Sequence, residues 1–397
     1  MDTLLFNAHL VPVTAGEIEK GYVYVKDERI LSVNVGEPDS EMLKNCEAMD
    51  CGGGYLYPGF IDAHSHIGLI KSGGGIEGDD INEESDPITP QMRAIDALDP
   101  SDSAFFDARK SGVTVAVTGA GSANVIGGDL IVISTYGEIA DKMLIKQCGI
   151  KFSLGENPKA THSDKDNAPY TRMSIAALIR EALFSAHEYL NKKTAAEKLP
   201  KAEISDALPD FDIKCESLIP LLKNEISAHF HCHTASDIAT AIRIAEEFGL
   251  TYTLVHCSEG YLIADYLKEK NATAIIGPLI NSKTKPELSL LSERNAALLP
   301  QKILTAISTD HPEVPVDFFL GSVCTAIKGG MDKNAALRAI TINPAKIVGI
   351  DRDYGSIEAG KRADFVLLDR EFCDFYATVL KTIVGGRIVY EGEGETL

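Results

Sequence analysis

Positive charge is scarce in this sequence. Lys and Arg number 38 against 58 Asp and Glu, so the formal net charge is −20. An acidic excess of this size repels the phosphates of nucleic acids and the headgroups of acidic membranes. We therefore expect no nucleic-acid or membrane partner, but a small-molecule substrate and self-association into a homo-oligomer.

Long apolar runs and paired cysteine motifs are also missing. No run approaches the roughly 18 apolar residues of a membrane span, and the start, MDTLLFNAHLVPVTAGEIEK, lacks the basic region and cleavage site of a secretory signal. The eight cysteines form no Cys-x-x-Cys pair, which argues against disulfides and against a cysteine-ligated zinc. These absences predict a cytoplasmic protein.

Strand-like apolar runs alternate with amphipathic helices along the chain. One helix is predicted over 174–190 and another after Ser236, its expected N-cap, as far as Gly249. The candidate strands are 60–66, 113–118, 130–135, 150–156, 227–233, 252–256, 273–277 and 303–309. Since each strand leaves room for a helix, the sequence predicts an α/β fold with eight parallel strands closed into a (β/α)8 TIM-type barrel.

Two histidines end the first of these strands, in YPGFIDAHSHIGL, Tyr57 to Leu69. On a strand, alternate side chains share a face, so His64 and His66 point the same way. Taken alone, such a pair is more often a solvated strand end than a metal site.

Other polar residues stand at the carboxyl ends of later strands. They are Glu156 on the fourth strand, His231 and His233 on the fifth, His256 on the sixth and Asp310 after the eighth. The carboxyl ends of barrel strands share the face on which active sites are built. An apolar barrel mouth gains nothing from this clustering, which therefore favours a functional site.

Three stretches carry a resemblance to a known family. YPGFIDAHSH resembles the first-strand signature of the amidohydrolase superfamily, metal-dependent hydrolases built on a distorted barrel. GSIEAGKRADFVLLD, Gly355 to Asp369, with the following KTIVGGRIVYEG, resembles the C-terminal β-segment of that superfamily. SLGENPK, NVIGG and EEFGLTYTLVHCSEGYLIADYL are most similar to its imidazolonepropionase-like branch.

The resemblance implies a centre for one or two divalent metal ions. His64 and His66 would bind the first and His233 and His256 the second, while Glu156 would bridge them where many relatives carry a carboxylated lysine. Zinc suits these ligands best, and iron, manganese, nickel or cobalt are also compatible. Asp310 would be both a ligand and the catalytic residue.

The implied reaction is hydrolysis of a C–N bond in a cyclic amide, an amidine or an N-acyl or dipeptide-like small molecule. A bound cation lowers the pKa of water from about 15.7 to near 7, and Asp310 would carry the proton to the leaving nitrogen. Two alternatives stay open: a phosphoester hydrolase on the same centre, and a non-catalytic scaffold on a retained amidohydrolase fold.

Several loop residues are candidates for contacts with the substrate. A positioned arginine can clamp a carboxylate, although such residues are more often plain surface. The glycine-rich, acidic segment 70–87 is interpreted as a lid, against the alternative of a solvated loop. The candidate substrate-binding residues are Asn124, His162, Tyr170, Arg172, His231 and His311, and His231 could equally be core or support for the metal ligands.

The two ends of the chain are predicted to fold together. Residues 1–56 read as short strands that are too few for a core of their own. We expect them to join 355–397 in a small β-sandwich domain on a barrel domain of residues 57–354.

Overall fold

Two eight-stranded sheets form the framework of the computed structural model, which describes residues 2–71, 73–163, 165 and 167–392. The first sheet begins with β1 (Thr3–Leu10), β2 (Ile18–Lys26), β3 (Arg29–Val35), β4 (Glu47–Asp50) and β5 (Tyr55–Pro58). The barrel sheet contains β6 (Phe60–Asp62), β7 (Val113–Gly119), β8 (Ile126–Ser134), β9 (Leu144–Ser153), β10 (Ser227–Cys232), β11 (Tyr252–His256), β12 (Thr273–Ile276) and β13 (Leu304–Ile307). The chain then returns to the first sheet with β14 (Phe365–Leu368), β15 (Val379–Val384) and β16 (Arg387–Glu391).

Helices surround the barrel and fill most of the connections between its strands. They are α1 (Ser40–Asn45), α2 (Ala104–Lys110), α3 (Ala140–Met143), α4 (Glu156–Ser163), α5 (Arg172–Ala196), α6 (Lys201–Ala207), α7 (Ile213–Leu222), α8 (Ala235–Phe248), α9 (Ala264–Glu269), α10 (Arg294–Leu298), α11 (Phe319–Lys328), α12 (Lys333–Ala339) and α13 (Ile342–Ile347). Short 3-10 turns cover Gly75–Gly78, Ala94–Asp96, Gly260–Ile263, Pro286–Leu288, Leu299–Gln301 and Val316–Phe318.

The predicted barrel is confirmed, with each of the eight expected strands in the same sheet. The strands pair in chain order from β6 to β13. Backbone hydrogen bonds beyond the two edge strands, such as Asp310 N to His64 O at 3.0 Å, bring the edges together. The sheet is therefore nearly closed, and the segments after β6 and β13 are neighbours.

The third barrel strand corrects the expectation that all eight strands are parallel. β8 runs antiparallel to both β7 and β9. Residues 120–125 alone connect β7 to β8, and a parallel crossover needs a dozen residues or more. The start of β8, rather than its end, therefore lies on the face where β7 ends.

The two predicted helices are present with shifted ends. α5 begins before and ends after the expected 174–190, and α8 is capped by Thr234, not by Ser236, because the Thr234 hydroxyl accepts the Asp237 N–H at 3.2 Å. Gly249 ends α8 in the left-handed conformation, with φ of 64°.

The β-rich second unit combines both ends of the chain, as predicted. Its strands form one bent sheet in the order β16-β15-β14-β5-β1-β2-β3, with β4 paired to β1. The antiparallel pairing of β5 with β14 joins the N-terminal and C-terminal segments. The bend brings the β3 edge to Lys361, whose carbonyl accepts the Ile30 N–H at 2.8 Å. Residues 393–397 of the expected segment lie outside the described residues, and the exact domain boundaries stay a prediction.

Two further sequence expectations concern membranes and disulfides. In the described part of the chain, every helix is too short or too polar to cross a bilayer. All eight cysteines fall within that part, and none of them is in a disulfide.

Candidate active site

The predicted metal ligands, all but Glu156, meet at the carboxyl ends of the barrel strands. The ligand atoms of His231, His233 and His256 lie within 4.8 Å of one another, as do those of His64, His256 and Asp310. His66 adjoins the second group, since its Nε2 lies 3.6 Å from Asp310 Oδ1. Four strand ends therefore direct imidazole and carboxylate groups at one point.

Hydrogen bonds orient three of these imidazole rings, two through backbone carbonyls and one through a serine hydroxyl. His66 Nδ1 bonds to Gly119 O at 2.8 Å and His256 Nδ1 to Gly277 O at 2.7 Å. His233 Nδ1 bonds to Ser258 Oγ at 2.8 Å. Fixing Nδ1 leaves Nε2 of each ring as the nitrogen available to a cation, which is how metal-binding histidines are commonly held.

Charge in the cluster is divided between neutral rings and one carboxylate. Burial, reinforced by nearby positive groups, lowers the pKa of His64, His231 and His233, so these rings are neutral at pH 7. Burial by itself raises the pKa of Asp310, but attraction to His256 and a hydrogen bond with His66 outweigh it and bring that pKa to about 2. Neutral imidazole and ionised carboxylate are the forms that bind cations.

These residues fit a divalent metal ion. The donor set, imidazole nitrogens with a carboxylate oxygen, is the one that zinc and similar cations accept. Within the described chain, Nδ1 of both His64 and His231 is buried and has no hydrogen-bond partner. His256 and Asp310 also adopt left-handed backbone angles, with φ of 67° and 57°. Such conformations are strained in non-glycine residues and are common at functional sites.

The fourth barrel strand supplies Lys151, a residue that sequence reasoning missed. Its side chain is 1% exposed and its Nζ lies 2.9 Å from His64 Nε2. Burial lowers the pKa of Lys151 to about 8. A lysine inside the apolar run of this strand was the signal that could have identified it.

Glu156, the residue predicted for this place, lies elsewhere. β9 ends at Ser153, so Glu156 begins α4, and its N–H donates to Glu287 Oε2 at 2.9 Å. Among the described residues, Glu156 is in none of the groups that could hold a metal ion. The strand is shorter than expected, which moves Glu156 past the cluster.

A cavity of about 260 Å³ opens over the cluster. Its wall includes His66, Ile81, Asn82, Ser122, Lys151, Asn157, His231, His233, His256, Thr284, Lys285, Leu288, Asp310, Pro312 and Glu313. His231, predicted to contact the substrate, lines this cavity and also stands in the histidine cluster, with its ring centroid 4.5 Å from that of His256.

Other predicted substrate contacts lie away from this wall. The Arg172 guanidinium bonds to both oxygens of Asp237, at 2.9 and 3.1 Å, because it starts α5 opposite the start of α8. Asn124 instead joins Thr89 to His162 through hydrogen bonds of 2.8 and 3.1 Å. These three predicted residues support the framework of the site and do not face the cavity.

The last two predicted contacts are also outside the lining. His311 lies beside Asp310, but its Nδ1 accepts the Val316 N–H at 3.2 Å. Tyr170 is half exposed and precedes α5. Of the segment interpreted as a lid, Ile70, Ile81 and Asn82 form part of the cavity wall, and its closing motion stays a prediction.

Comparison with known proteins decides the family. The model of the amidohydrolase family matches residues 55–389. This chain belongs to the amidohydrolase family. A crystal structure of an amidohydrolase from Thermotoga maritima MSB8 matches this amidohydrolase with a TM-score of 0.93 and 36% identity, over 98% of this chain and 100% of that one.

Curated relatives are more distant. Amidohydrolase tasK of Hapsidospora irregularis is 27% identical over 403 residues, which cover 93% of this chain but 41% of that protein, so this chain spans less than half its length. Imidazolonepropionase of Legionella pneumophila (strain Corby) is 22% identical over 438 residues, 98% of this chain and 99% of that protein. The superfamily and its imidazolonepropionase-like branch are thus confirmed, and the family match supports the predicted enzyme class, a metal-dependent hydrolase of C–N bonds other than peptide bonds.

Proposed function

We propose that this amidohydrolase hydrolyses a C–N bond in a cyclic amide, an amidine or an N-acyl or dipeptide-like small molecule. The observation that carries the proposal is the position of Asp310. Its Oδ1 lies 3.5 Å from His64 Nε2 and 3.6 Å from His66 Nε2, and its side chain lines the cavity. A carboxylate is thereby held between the ligand cluster and the space for a substrate.

Either group of ligands could hold a divalent cation, with zinc the best match to the donors. His64 and His66, whose Nε2 atoms lie 3.5 and 3.6 Å from Asp310 Oδ1, would hold one ion with Asp310, and His231, His233 and His256 would hold another. A bound cation lowers the pKa of water towards 7 and polarises the bond to be cleaved. Lys151, and not Glu156, is the residue of the fourth barrel strand that we propose lies at the metal centre, because its Nζ reaches His64. The prediction of one or two bound ions is tested by elemental analysis, which gives the number.

Asp310 is the proposed proton carrier. Its side chain is 13% exposed, so it reaches the cavity while the burial around it excludes bulk water. A carboxylate there can accept the proton of an attacking water and donate it to the departing nitrogen. His64, His231 and His233 are held as neutral ligands and leave this task to Asp310.

The first experiment is elemental analysis with a hydrolysis assay. We expect one to two equivalents of metal and turnover within a panel of lactams, amidines and N-acyl amino acids. Asp310→Asn should lower kcat by about 100-fold or more, the usual contribution of a general acid–base group. Asp317→Asn, an exposed residue nearby in the chain, is the matched control.

Each alternative predicts a different result. Turnover of phosphotriesters above that of any amide favours a phosphoester hydrolase. Metal bound without turnover of either class favours a scaffold, and no metal after addition of zinc or manganese contradicts the proposal. Homo-oligomer formation and a cytoplasmic location stay predictions, which sedimentation and fractionation can test.

A further inference from the structure

Lys285 places a positive charge on the cavity wall. Its Nζ donates to the uncharged Asn157 Oδ1 at 2.7 Å, and it forms no ion pair with any carboxylate in the described part of the chain. The other lysine of the wall, Lys151, is buried against His64. Lys285 therefore offers an exposed ammonium to the contents of the cavity.

Asn157 fixes the direction of this ammonium. The Asn157 amide nitrogen donates to Ser122 Oγ at 2.8 Å and lies 3.4 Å from His231 Nε2. With its nitrogen engaged, the amide presents its oxygen to Lys285. One side chain thus separates the ammonium from the histidine cluster, and Ser122, Asn157, His231 and Lys285 all line the same cavity.

A second contact ties the same loop to α4. Glu287, two residues after Lys285, is 3% exposed, and its Oε2 accepts the Glu156 N–H at 2.9 Å. The loop after β12 is therefore bound to residues 156–157 through both Lys285 and Glu287. Because the lysine is already held in place, binding of a ligand to Lys285 avoids the conformational-entropy cost of ordering this side chain.

We infer that Lys285 and Asn157 form a subsite for a substrate carboxylate, and that the substrates are small carboxylate-bearing amides. This inference rests on the proposed function, because it names the group that lies beyond the scissile C–N bond. An ammonium has three N–H donors, of which Asn157 occupies one. The remaining donors can form charge-assisted hydrogen bonds with a carboxylate, which are stronger than the existing bond to a neutral amide.

The net charge of the chain makes such a subsite necessary for an anionic substrate. At −20 the protein repels anions at long range, and Asp310 and Glu313 add negative charge to the cavity wall. A fixed local cation offsets that repulsion within the cavity. The volume of about 260 Å³ suits a molecule the size of an acylated amino acid.

Paired substrates test the inference with metal-loaded enzyme. N-acetyl-L-alanine is compared with N-acetyl-L-alaninamide, and L-pyroglutamate with its amide, alongside the best substrate of the panel and its uncharged amide. We expect wild type to favour the acids by about 10-fold or more in kcat/KM, the usual contribution of hydrogen bonds to a charged group. Lys285→Met should lose this preference, chiefly through KM, and Lys285→Arg should keep most of it.

Lys283 supplies the matched control. It lies in the same loop, but its Nζ donates to Ser289 O at 2.9 Å and it does not line the cavity. Lys283→Met should therefore keep the preference of wild type. Equal turnover of acids and amides by wild type, or a preference that survives in Lys285→Met, overturns the subsite and leaves the proposed C–N hydrolase standing.

Calorimetry separates a failure of the proposed function from a failure of the subsite. If neither acids nor amides are turned over, the proposed reaction class is wrong. The binding affinities of the same pairs then test whether Lys285 binds a carboxylate. Tighter binding of the acids that is lost in Lys285→Met supports the subsite. No preference for the acids in wild type overturns it.

Discussion

At the residue scale, Asp62 joins the ends of β6 and β13, which precede His64, His66 and Asp310. It is completely buried below His64, and its carboxylate accepts the Thr309 hydroxyl and, at 3.1 Å, the Thr309 N–H. The Thr309 hydroxyl in turn accepts the His311 N–H at 3.0 Å. The position of Asp310 relative to His64 and His66 therefore depends on this pair.

Thr309→Val tests that dependence. The variant keeps the shape of the side chain but leaves Asp62 without its hydroxyl donor, which costs about 1–3 kcal/mol in a buried site. We expect lower thermal stability and a kcat reduced by about 10-fold, with metal content measured in parallel. Thr305→Val is the control, because Thr305 is equally buried in β13 but bonds to Ile303 O. A normal kcat in Thr309→Val contradicts the positioning role.

Asp364 is a second buried carboxylate, in the β-rich unit. The Gly385 N–H donates to its Oδ1 at 2.8 Å, while its Oδ2 has no partner among the described residues. Burial raises its pKa from the ordinary 3.8 to about 6, although Arg362 opposes the shift. The folded state therefore binds a proton that the unfolded state has lost between those two values.

The linked stability change has a definite sign. Since the folded pKa is raised, wild type should gain stability relative to Asp364→Asn as the pH falls from 7 to 4, by at most roughly 3 kcal/mol. Denaturant unfolding at several pH values measures the difference. Asp141→Asn, at an exposed position of α3, should show no such change relative to wild type. If the difference in the free energy of unfolding between wild type and Asp364→Asn is constant across this pH range, the pKa of Asp364 is not raised in the folded state.

Individual site residues were predictable where they stand at, or shortly after, the carboxyl end of a barrel strand. His64, His66, His233, His256 and Asp310 stand at strand ends, so their convergence followed from the barrel. Lys151 was missed and Glu156 misplaced because the sequence does not mark where β9 ends. The partner of Arg172, Asp237, is far away in the chain, and local patterns do not reveal such a contact.

At the element scale, Gly277 lets the end of β12 approach β13. Its φ is 146°, and a Cβ there would lie 2.2 Å from Ser308 O. Its carbonyl accepts the hydrogen bond of His256 Nδ1 at 2.7 Å. The backbone at this position both shapes the strand end and orients a predicted ligand.

Gly277→Ala should therefore damage stability and the site together. We expect a loss of roughly 2 kcal/mol or more from strain and steric overlap, with reduced metal content. Thermal unfolding and elemental analysis measure the two effects. Gly16→Ala is the control, since a Cβ at Gly16 meets nothing within 4 Å. If Gly277→Ala and Gly16→Ala have the same thermal stability and metal content, the argument from the close approach of Gly277 to Ser308 is wrong.

The barrel strands were predictable because each is an apolar run of strand length. The direction of β8 was not, since an apolar strand buried on both faces has no pattern that distinguishes parallel from antiparallel pairing. The sequence signal for the direction of β8 was the short connection between β7 and β8, which has too few residues for a parallel crossover. The cap of α8 was misassigned by two residues because Thr234 and Ser236 are both good N-caps.

At the scale of the whole molecule, β14 belongs to two cores at once. Phe365 and Leu367 pack in the core of the bent sheet, while Val366 and Leu368 pack in the core that includes the barrel. A strand with alternate residues in two cores couples them, because neither can lose this strand without exposing apolar surface of the other. The predicted pairing of the chain ends thus has an energetic consequence for the barrel.

We therefore expect the two units to unfold as one. Calorimetry should show a single transition, and Phe365→Ala should lower its midpoint, because removing a buried phenyl ring costs roughly 3–5 kcal/mol. Val366→Ala, on the opposite face of β14, should shift the same transition. Phe375→Ala should leave it in place, since Phe375 is 76% exposed. Two transitions, of which Phe365→Ala moves one and Val366→Ala the other, would show that the β-rich unit and the barrel unfold independently despite sharing a strand.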